Sequence, residues 1–109
     1  MKIYLDLCIY NRPFDDQGQP RIAIETMEFL FLLEKTIRKE IRIVNSFTLE
    51  YENSKNPMVD RREKIRDLLR IASEYVRYSE RLGNRAMEIE KMGFMAMDAL
   101  HIACAETGK

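Results

Sequence analysis

Short apolar runs and longer helical repeats alternate along this chain. Three runs are rich in β-branched and aromatic residues and are bounded by polar or turn-forming residues, so they predict strands. These runs are 2–8, 41–45 and 75–78. Five further segments space their apolar residues at the helical repeat or follow an N-capping residue, so they predict helices. These segments are 20–39, 46–54, 61–73, 79–92 and 97–106.

Residues that start and stop helices support these boundaries. Ser46, Asp60 and Ser79 are predicted N-caps, because their side-chain oxygens can accept a hydrogen bond from a backbone N–H of the first turn. Gly93 is predicted to end the helix that Ser79 begins, at the position just after its last turn. The segment 11–20 contains two prolines and one glycine and therefore predicts a loop.

The order of strands and helices predicts an α/β fold. Strands that alternate with helices favour a parallel sheet covered by helices on both faces. In such sheets the ligand site lies beyond the carboxyl ends of the strands. At 109 residues, the chain is predicted to form a single domain over 1–109.

The composition predicts a soluble protein of the cytoplasm. The chain is 46% hydrophobic and 33% charged, and no stretch approaches the roughly 20 apolar residues of a membrane span. Met1 and Lys2 lead directly into the first strand pattern, so no signal peptide is expected. Cys8 and Cys104 form no CxxC pair, and both are predicted to be buried small apolar residues rather than a disulfide.

The charge balance argues against a strongly basic nucleic-acid binder. The 18 basic and 18 acidic residues give a formal net charge of zero. Strong non-specific nucleic-acid binders usually carry a basic surplus, so tight RNA binding is not expected from charge alone. A metal enzyme can still act on RNA, because bound cations supply positive charge where the phosphate lies.

Carboxylates occur where predicted strands end and where a helix begins. Asp6 closes the first apolar run, and Asp98 opens the last helix. Glu50 and Glu52 follow the second strand, and since they point about 200° apart on a helix, at most one readily faces the same site. Clusters of carboxylates bind Mg²⁺ or Mn²⁺, which can activate water and neutralise a leaving oxygen. The pattern therefore predicts phosphodiester chemistry.

The other polar residues carry weaker chemical signals. The sequence contains no glycine-rich phosphate loop, no HExxH motif and no CxxC motif. His101 lies among apolar residues and is predicted to be packed or partly exposed rather than a ligand or base. The basic run from Arg61 to Arg70 is predicted to be a solvated helix face.

Three segments together resemble a PIN domain, and most closely a prokaryotic branch of that family. They are IYLDLC at 3–8 followed by NRPFD at 11–15, the segment 46–52, and MDALHIA at 97–103. The resemblance runs through the whole chain in the expected order. It implies a three-layer α/β/α sandwich and an Mg²⁺- or Mn²⁺-dependent ribonuclease, a hydrolase that in many members is the toxin of a toxin–antitoxin pair.

The resemblance also implies the residues of a metal site. By position, Asp6 resembles the first metal ligand and Asp98 the third acid. The second acid is ambiguous. Its spacing from the strand end at Ser46 favours Glu52, whereas the pattern of an acidic residue followed by a hydrophobic one favours Glu50. Glu52 is preferred, which gives Asp6, Glu52 and Asp98 as the predicted catalytic and metal-binding set.

The expected partners follow from the same resemblance. RNA is the expected substrate, and an antitoxin protein is a further expected partner, with no membrane involved. Asn11 and Arg12, in the loop after the first strand, are candidates for contact with an RNA phosphate. A turn role for these two residues is equally compatible with the sequence.

The sequence departs from the family pattern at its end. PIN domains usually continue with another strand and a fourth acidic residue after the last helix here, whereas this sequence reads Thr107-Gly108-Lys109 at that point. The domain is therefore predicted to be incomplete at the C-terminus, with an open edge on strand 2–8 that a homo-oligomer covers. The alternative function is a non-catalytic PIN-like module that binds RNA or protein through an incomplete acidic site.

Overall fold

Three short strands form one parallel sheet in the computed structural model, which describes residues 1–108. The strands are β1 Lys2–Tyr4, β2 Arg42–Ser46 and β3 Glu74–Val76. They lie in the order β1–β2–β3, so β2 is central. Ile43 of β2 pairs with Ile3 of β1, and Asn45 pairs with Tyr75 of β3.

Six α-helices connect and cover these strands within residues 1–108. They are α1 Leu7–Asn11, α2 Pro20–Ile37, α3 Phe47–Ser54, α4 Val59–Leu69, α5 Glu80–Lys91 and α6 Ala96–Thr107. A 3₁₀ turn at Arg12–Phe14 follows α1 directly. None of these helices combines the length and apolar character that crossing a membrane requires.

The central strand carries a hydrophobic cluster on each face of the sheet. Successive side chains of a strand point to opposite faces, so Ile43 and Val44 of β2 face opposite sides. Val44 packs in a first cluster with residues of β3, α5 and α6: Val76, Leu82, Ala86, Ile89, Ala99, Ala103 and Cys104. Ile43 packs in a second cluster with residues of α1 to α4: Tyr10, Phe29, Leu33, Leu49, Ile65 and Leu69.

The prediction of an α/β fold with a parallel sheet is therefore confirmed, and helices pack on both faces. The finer assignment to a PIN-like sandwich stays a prediction. The prediction of a single domain over 1–109 also stays a prediction, and Lys109 lies outside the described residues.

The first strand is shorter than predicted, because the second part of its apolar run is helical. β1 ends at Tyr4, and Asp6 lies in extended backbone (φ −67°, ψ 151°) at the N-cap position of α1. The helix turns Tyr10 into the second cluster, where its side chain is fully buried. A short apolar run is compatible with a strand or with a buried helix, and here the packing of Tyr10 accompanies the helix.

The helix α1 also makes one cysteine prediction wrong. Cys8 lies on the exposed side of α1, whereas Cys104 is fully buried in the first cluster, as predicted. Both cysteines are free in the structure.

Two predicted N-caps and one predicted helix stop are confirmed. Ser46 Oγ accepts a hydrogen bond from Leu49 N at 3.1 Å, and Ser79 Oγ accepts one from Leu82 N at 3.1 Å. Gly93 has a φ of 109°, which is the left-handed backbone that favours glycine after a helix.

The third predicted N-cap and the predicted end of α4 are wrong. α4 begins at Val59, so Asp60 lies in its first turn, where a carboxylate interacts favourably with the helix dipole instead of capping. The helix ends at Leu69 rather than near residue 73. Ser73 N already donates to Ile43 O of β2 at 3.0 Å, which requires the chain to have left the helix.

Candidate functional site

Asp6 and Asp98 line the same cavity. It has a volume of about 390 Å³ and lies between the residues at the end of β1 and one side of α6. His101 is also part of its wall. Both aspartates are exposed, so their carboxylates are accessible to solvent and to a ligand. The rest of the wall is largely apolar and consists of Tyr4, Phe94, Ile102 and Ala105.

Helical spacing explains which side of α6 meets this cavity. His101 and Ile102 follow Asp98 by three and four positions, so these side chains lie on one side of the helix. The opposite side buries Ala99 and Ala103 in the first cluster. Asp98 lies in the first turn of α6, where the positive end of the helix dipole favours a carboxylate.

Side-chain hydrogen bonds tie His101 to the sheet and to α3. Tyr4 Oη lies 2.7 Å from His101 Nδ1 and 2.9 Å from Ser46 Oγ. His101 Nε2 is hydrogen-bonded to Glu52 Oε1. These side chains come from β1, β2, α3 and α6, so the network joins α6 to the carboxyl ends of two neighbouring strands.

The protonation of Tyr4 limits the direction of these hydrogen bonds. Burial, which is the largest cause, raises the pKa of Tyr4 well above the ordinary value of 10.0, so the hydroxyl keeps its proton at neutral pH. A carboxylate only accepts, so His101 donates from Nε2 to Glu52. In a neutral imidazole, Nδ1 then accepts from Tyr4, and Tyr4 accepts from Ser46. Each donor in the network then has an acceptor.

The structure separates the two candidates for the second acid. Glu52 is bonded to His101, which is itself part of the cavity wall shared by the two aspartates. Glu50 accepts a hydrogen bond from Asn45 Nδ2 at 3.0 Å and lines a different cavity, between α3 and α4. The fold therefore brings Glu52 rather than Glu50 towards the aspartates, and a metal-binding role for Glu52 stays a prediction.

Binding of Mg²⁺ or Mn²⁺ in this cavity stays a prediction. Across residues 1–108, no three Asp, Glu, His or Cys side chains form a group that could hold a metal ion by themselves. Mg²⁺, however, is usually held by one or two carboxylates together with several waters. Asp6 and Asp98 supply two carboxylates to one open cavity, while the carboxylate of Glu52 is engaged by His101.

Asn11 and Arg12 stabilise the segment after β1. Asn11 Nδ2 donates to Leu7 O at 3.0 Å, within α1. Arg12 Nη1 donates to Asp15 Oδ2 at 3.0 Å, and Arg12 Nε donates to Glu25 of α2. Because these donors have partners within the protein, the arrangement favours the turn role, and contact with substrate stays a prediction.

Arg61 does not belong to a solvated helix face, so that part of the prediction is wrong. Its Nη1 donates to Asp15 Oδ1 at 2.9 Å and its Nη2 donates to the carbonyl oxygen of Phe14, which ties α4 to the 3₁₀ turn. Arg62 donates to Asn56 O at 3.2 Å. The remaining basic residues of the run are exposed, as predicted: Lys64, Arg66 and Arg70.

The side chains that hold His101 were not evident from the sequence. His101 is partly exposed, as predicted, with 16% of its side chain accessible, yet it carries two side-chain hydrogen bonds. One feature of the sequence pointed to His101: the single histidine of the chain follows Asp98 by about one helical turn, which places both on one side of the helix. Tyr4 and Ser46 carried no such signal, since a tyrosine in a strand and a serine at a helix start are common.

Comparisons of this chain with protein-family models, with curated proteins and with solved structures gave no match. The resemblance to PIN domains therefore rests on the three segments quoted from the sequence, and membership of that family stays a prediction. The parallel sheet and the cavity shared by Asp6 and Asp98 are the structural observations that bear on function.

Proposed function

We propose that this chain is a PIN-type endoribonuclease that depends on Mg²⁺ or Mn²⁺ and cleaves RNA phosphodiester bonds. The observation that carries the proposal is the cavity that Asp6 and Asp98 share at the end of β1 and the start of α6. Parallel α/β sheets bind their ligands at the carboxyl ends of the strands, which is where this cavity lies. A toxin role with an antitoxin partner belongs to the same proposal, on the basis of the sequence resemblance.

Asp6 and Asp98 are the residues that would hold the metal ion, whose chemistry when bound is to offset phosphate charge and to lower the pKa of a water. Their exposed positions leave room for a phosphate group and for waters. His101 is a positioning residue in this mechanism. Both of its ring nitrogens are hydrogen-bonded, to Tyr4 and to Glu52, so neither is free to take a proton from substrate.

RNA cleavage by the full chain in the presence of Mn²⁺ tests the site. Asp6→Asn and Asp98→Asn keep the size of the side chain but remove charge from the cavity, so we expect cleavage to fall by about 100-fold or more. Asp67→Asn is the matched control, because Asp67 is exposed on α4 and is not part of the cavity wall. Full activity in both cavity variants would show that the site is assigned to the wrong residues.

A second candidate is a non-catalytic PIN-like module that binds RNA or a protein partner. Two observations favour it: the carboxylate of Glu52 is engaged by His101, and β1 pairs with β2 alone among the described strands. Calorimetric titration with Mn²⁺ separates the candidates. Saturable binding that Asp6→Asn abolishes supports the nuclease, whereas no binding at millimolar Mn²⁺ supports the module.

A further inference from the structure

One side of α2 exposes a row of large apolar side chains. Five residues define this surface, which we call the outer face of α2, and each is 52–70% exposed: Ile24, Met27, Leu30, Phe31 and Ile37. They recur at helical spacing along nearly the whole helix. None of them belongs to either hydrophobic cluster of the fold.

The inner side of α2 already accounts for the place of this helix in the fold. Phe29 and Leu33 are buried in the second cluster. The ring of Tyr10 meets Phe29 edge-on, with the ring centroids 5.2 Å apart. Thr36 is also buried, and its Oγ1 donates to Leu32 O at 3.0 Å. The apolar residues of the outer face are therefore not needed to attach α2 to the sheet.

The area of the outer face suits a protein–protein contact. From their exposed fractions, the five side chains offer roughly 600 Å² of surface, at the upper end of apolar patches found on monomers. A stable interface buries about 800 Å² on each partner. The side-chain stems of neighbouring charged residues on α2 can supply the remainder.

Charged residues lie on both sides of Phe31 on the outer face, with Glu28 before it and with Glu34, Lys35 and Arg38 after it. Glu28 and Lys35 lie about two turns apart on the same side of α2, with Phe31 between them. Lys35 Nζ lies 5.1 Å from the centre of the Phe31 ring and 2.8 Å from Glu40 Oε2. Glu28 has no ion pair within residues 1–108. Glu34 is paired with Arg38 at 2.7 Å within the chain, which leaves Glu28 before Phe31 and Lys35 after it as the charges that flank the ring.

We propose that the outer face of α2 binds the same face of a second copy of this chain, with the two helices antiparallel about a two-fold axis between Phe31 and Leu32. In this arrangement, Glu28 of each copy lies opposite Lys35 of the other, and the two helix dipoles are also antiparallel. A parallel pair would instead set Glu28 against Glu28. A two-fold interface must be self-complementary, and this face carries both members of the charge pair and the apolar surface between them. The inference is independent of the nuclease proposal.

The edge of β1 offers less for self-association than the sequence indicated. The predicted strand over 2–8 would have exposed a long row of unpaired backbone groups, whereas β1 is limited to the 3 residues Lys2–Tyr4. Short edge strands are one of the ways in which proteins suppress pairing between edges. Pairing across β1 is nevertheless the competing arrangement, and Phe94, which shares a cavity with Tyr4, reports on that side of the molecule.

Sedimentation equilibrium of the full chain tests the location of the interface. Wild type is expected to form a dimer at micromolar concentration. Phe31→Glu places a charge at the centre of the contact and should raise the dimer Kd by about 100-fold or more. Phe94→Glu is the matched control, because Phe94 is 47% exposed and Phe31 is 57% exposed, and it should change the Kd by less than about threefold. Thermal unfolding of each variant establishes that it is folded.

A charge exchange tests the antiparallel geometry. Glu28→Lys alone sets like charges against each other at both ends of the contact and should weaken the dimer by about tenfold. Combining it with Lys35→Glu restores opposite charges, so the double variant should return to within about threefold of wild type. Recovery of binding in the double variant would identify the partner as a second copy of this chain. An unrelated protein would keep its own charges, so it would not recover binding.

Each remaining outcome contradicts the inference. A wild-type chain that stays monomeric at the highest concentration reached would overturn it. Loss of the dimer in Phe94→Glu but not in Phe31→Glu would place the contact at β1 instead. A double variant as weak as Glu28→Lys, or a Glu28→Lys variant that dimerises more tightly than wild type, would rule out the antiparallel arrangement.

Discussion

Two tyrosines provide a matched test of what a buried hydroxyl contributes to this fold. The hydroxyl of Tyr4 has two side-chain hydrogen-bond partners, His101 and Ser46. The ring of Tyr10 is fully buried, and its hydroxyl has no hydrogen-bond partner among the described residues. Replacement by Phe removes one oxygen from each residue and keeps the ring, so the two substitutions differ only in what the oxygen contacts. We expect them to have opposite effects on stability.

The magnitudes follow from these contacts. Tyr4→Phe removes two hydrogen bonds worth about 1 kcal/mol each, and it leaves His101 Nδ1 and the Ser46 hydroxyl without their partner. The free energy of unfolding should fall by about 2 kcal/mol, which corresponds to a decrease in Tm of roughly 10 °C for a domain of this size. Tyr10→Phe removes a polar group whose burial is not compensated, so the free energy of unfolding should stay the same or rise by about 1 kcal/mol.

Urea denaturation followed by circular dichroism measures both changes. As a control, the slope of the free energy of unfolding against urea concentration should be the same in each variant as in wild type, which shows that the folded and unfolded states are comparable. The reasoning would be refuted for Tyr10 if Tyr10→Phe were destabilised as much as Tyr4→Phe, because its hydroxyl would then have a partner such as a buried water. It would be refuted for Tyr4 if Tyr4→Phe kept wild-type stability, because the network around His101 would then contribute nothing net to folding.

Two further predictions concern titration and thiol reactivity. Burial raises the pKa of both Tyr4 and Tyr10, so the unfolded chain loses these protons first. Titration of these two groups leaves the free energy of unfolding unchanged below about pH 10 and should lower it as the pH rises above that value. The decline should be less steep in the two Phe variants, and a Tm unchanged by alkaline pH would contradict this. Cys8 is exposed and Cys104 is buried, so one thiol per chain should react with an aromatic disulfide reagent in native buffer and the second only in denaturant. The reaction of Cys8 should be slow at neutral pH, because partial desolvation of the thiol and then the charge of Asp6 raise its pKa. Two thiols reacting in native buffer would contradict the assignment.

Features formed by local contacts could be predicted from the sequence. Ser46 and Ser79 cap helices through bonds to residues three positions further along the chain. Gly93 ends a helix because its own backbone adopts a positive φ. The alternation of strands and helices similarly indicated a parallel sheet, since a parallel pair needs a crossover between its strands.

Features that depend on burial could not be predicted in the same way. The run 2–8 is apolar apart from Lys2 and Asp6, so its pattern does not show that the chain turns into a helix after Asp6 to bury Tyr10. The cluster 29–33 in α2 is apolar throughout, so the sequence does not show which side meets the core. The basic run of α4 gave no sign that Arg61 bonds to Asp15, because that contact joins two segments far apart in the chain.

The amino-acid sequence by itself determined the α/β class and most of the helix boundaries, because repeat patterns and caps act within a few residues. It also indicated Asp6 and Asp98 as candidate site residues, from their places at the ends of predicted elements and from the resemblance. Only the tertiary structure decided that the two aspartates share a cavity, that Glu52 bonds to His101, and that the outer face of α2 remains exposed. The physical reason is separation along the chain. The bonds from His101 to Glu52 and to Tyr4 span 49 and 97 positions, so they exist only once α3 and α6 have packed against the sheet.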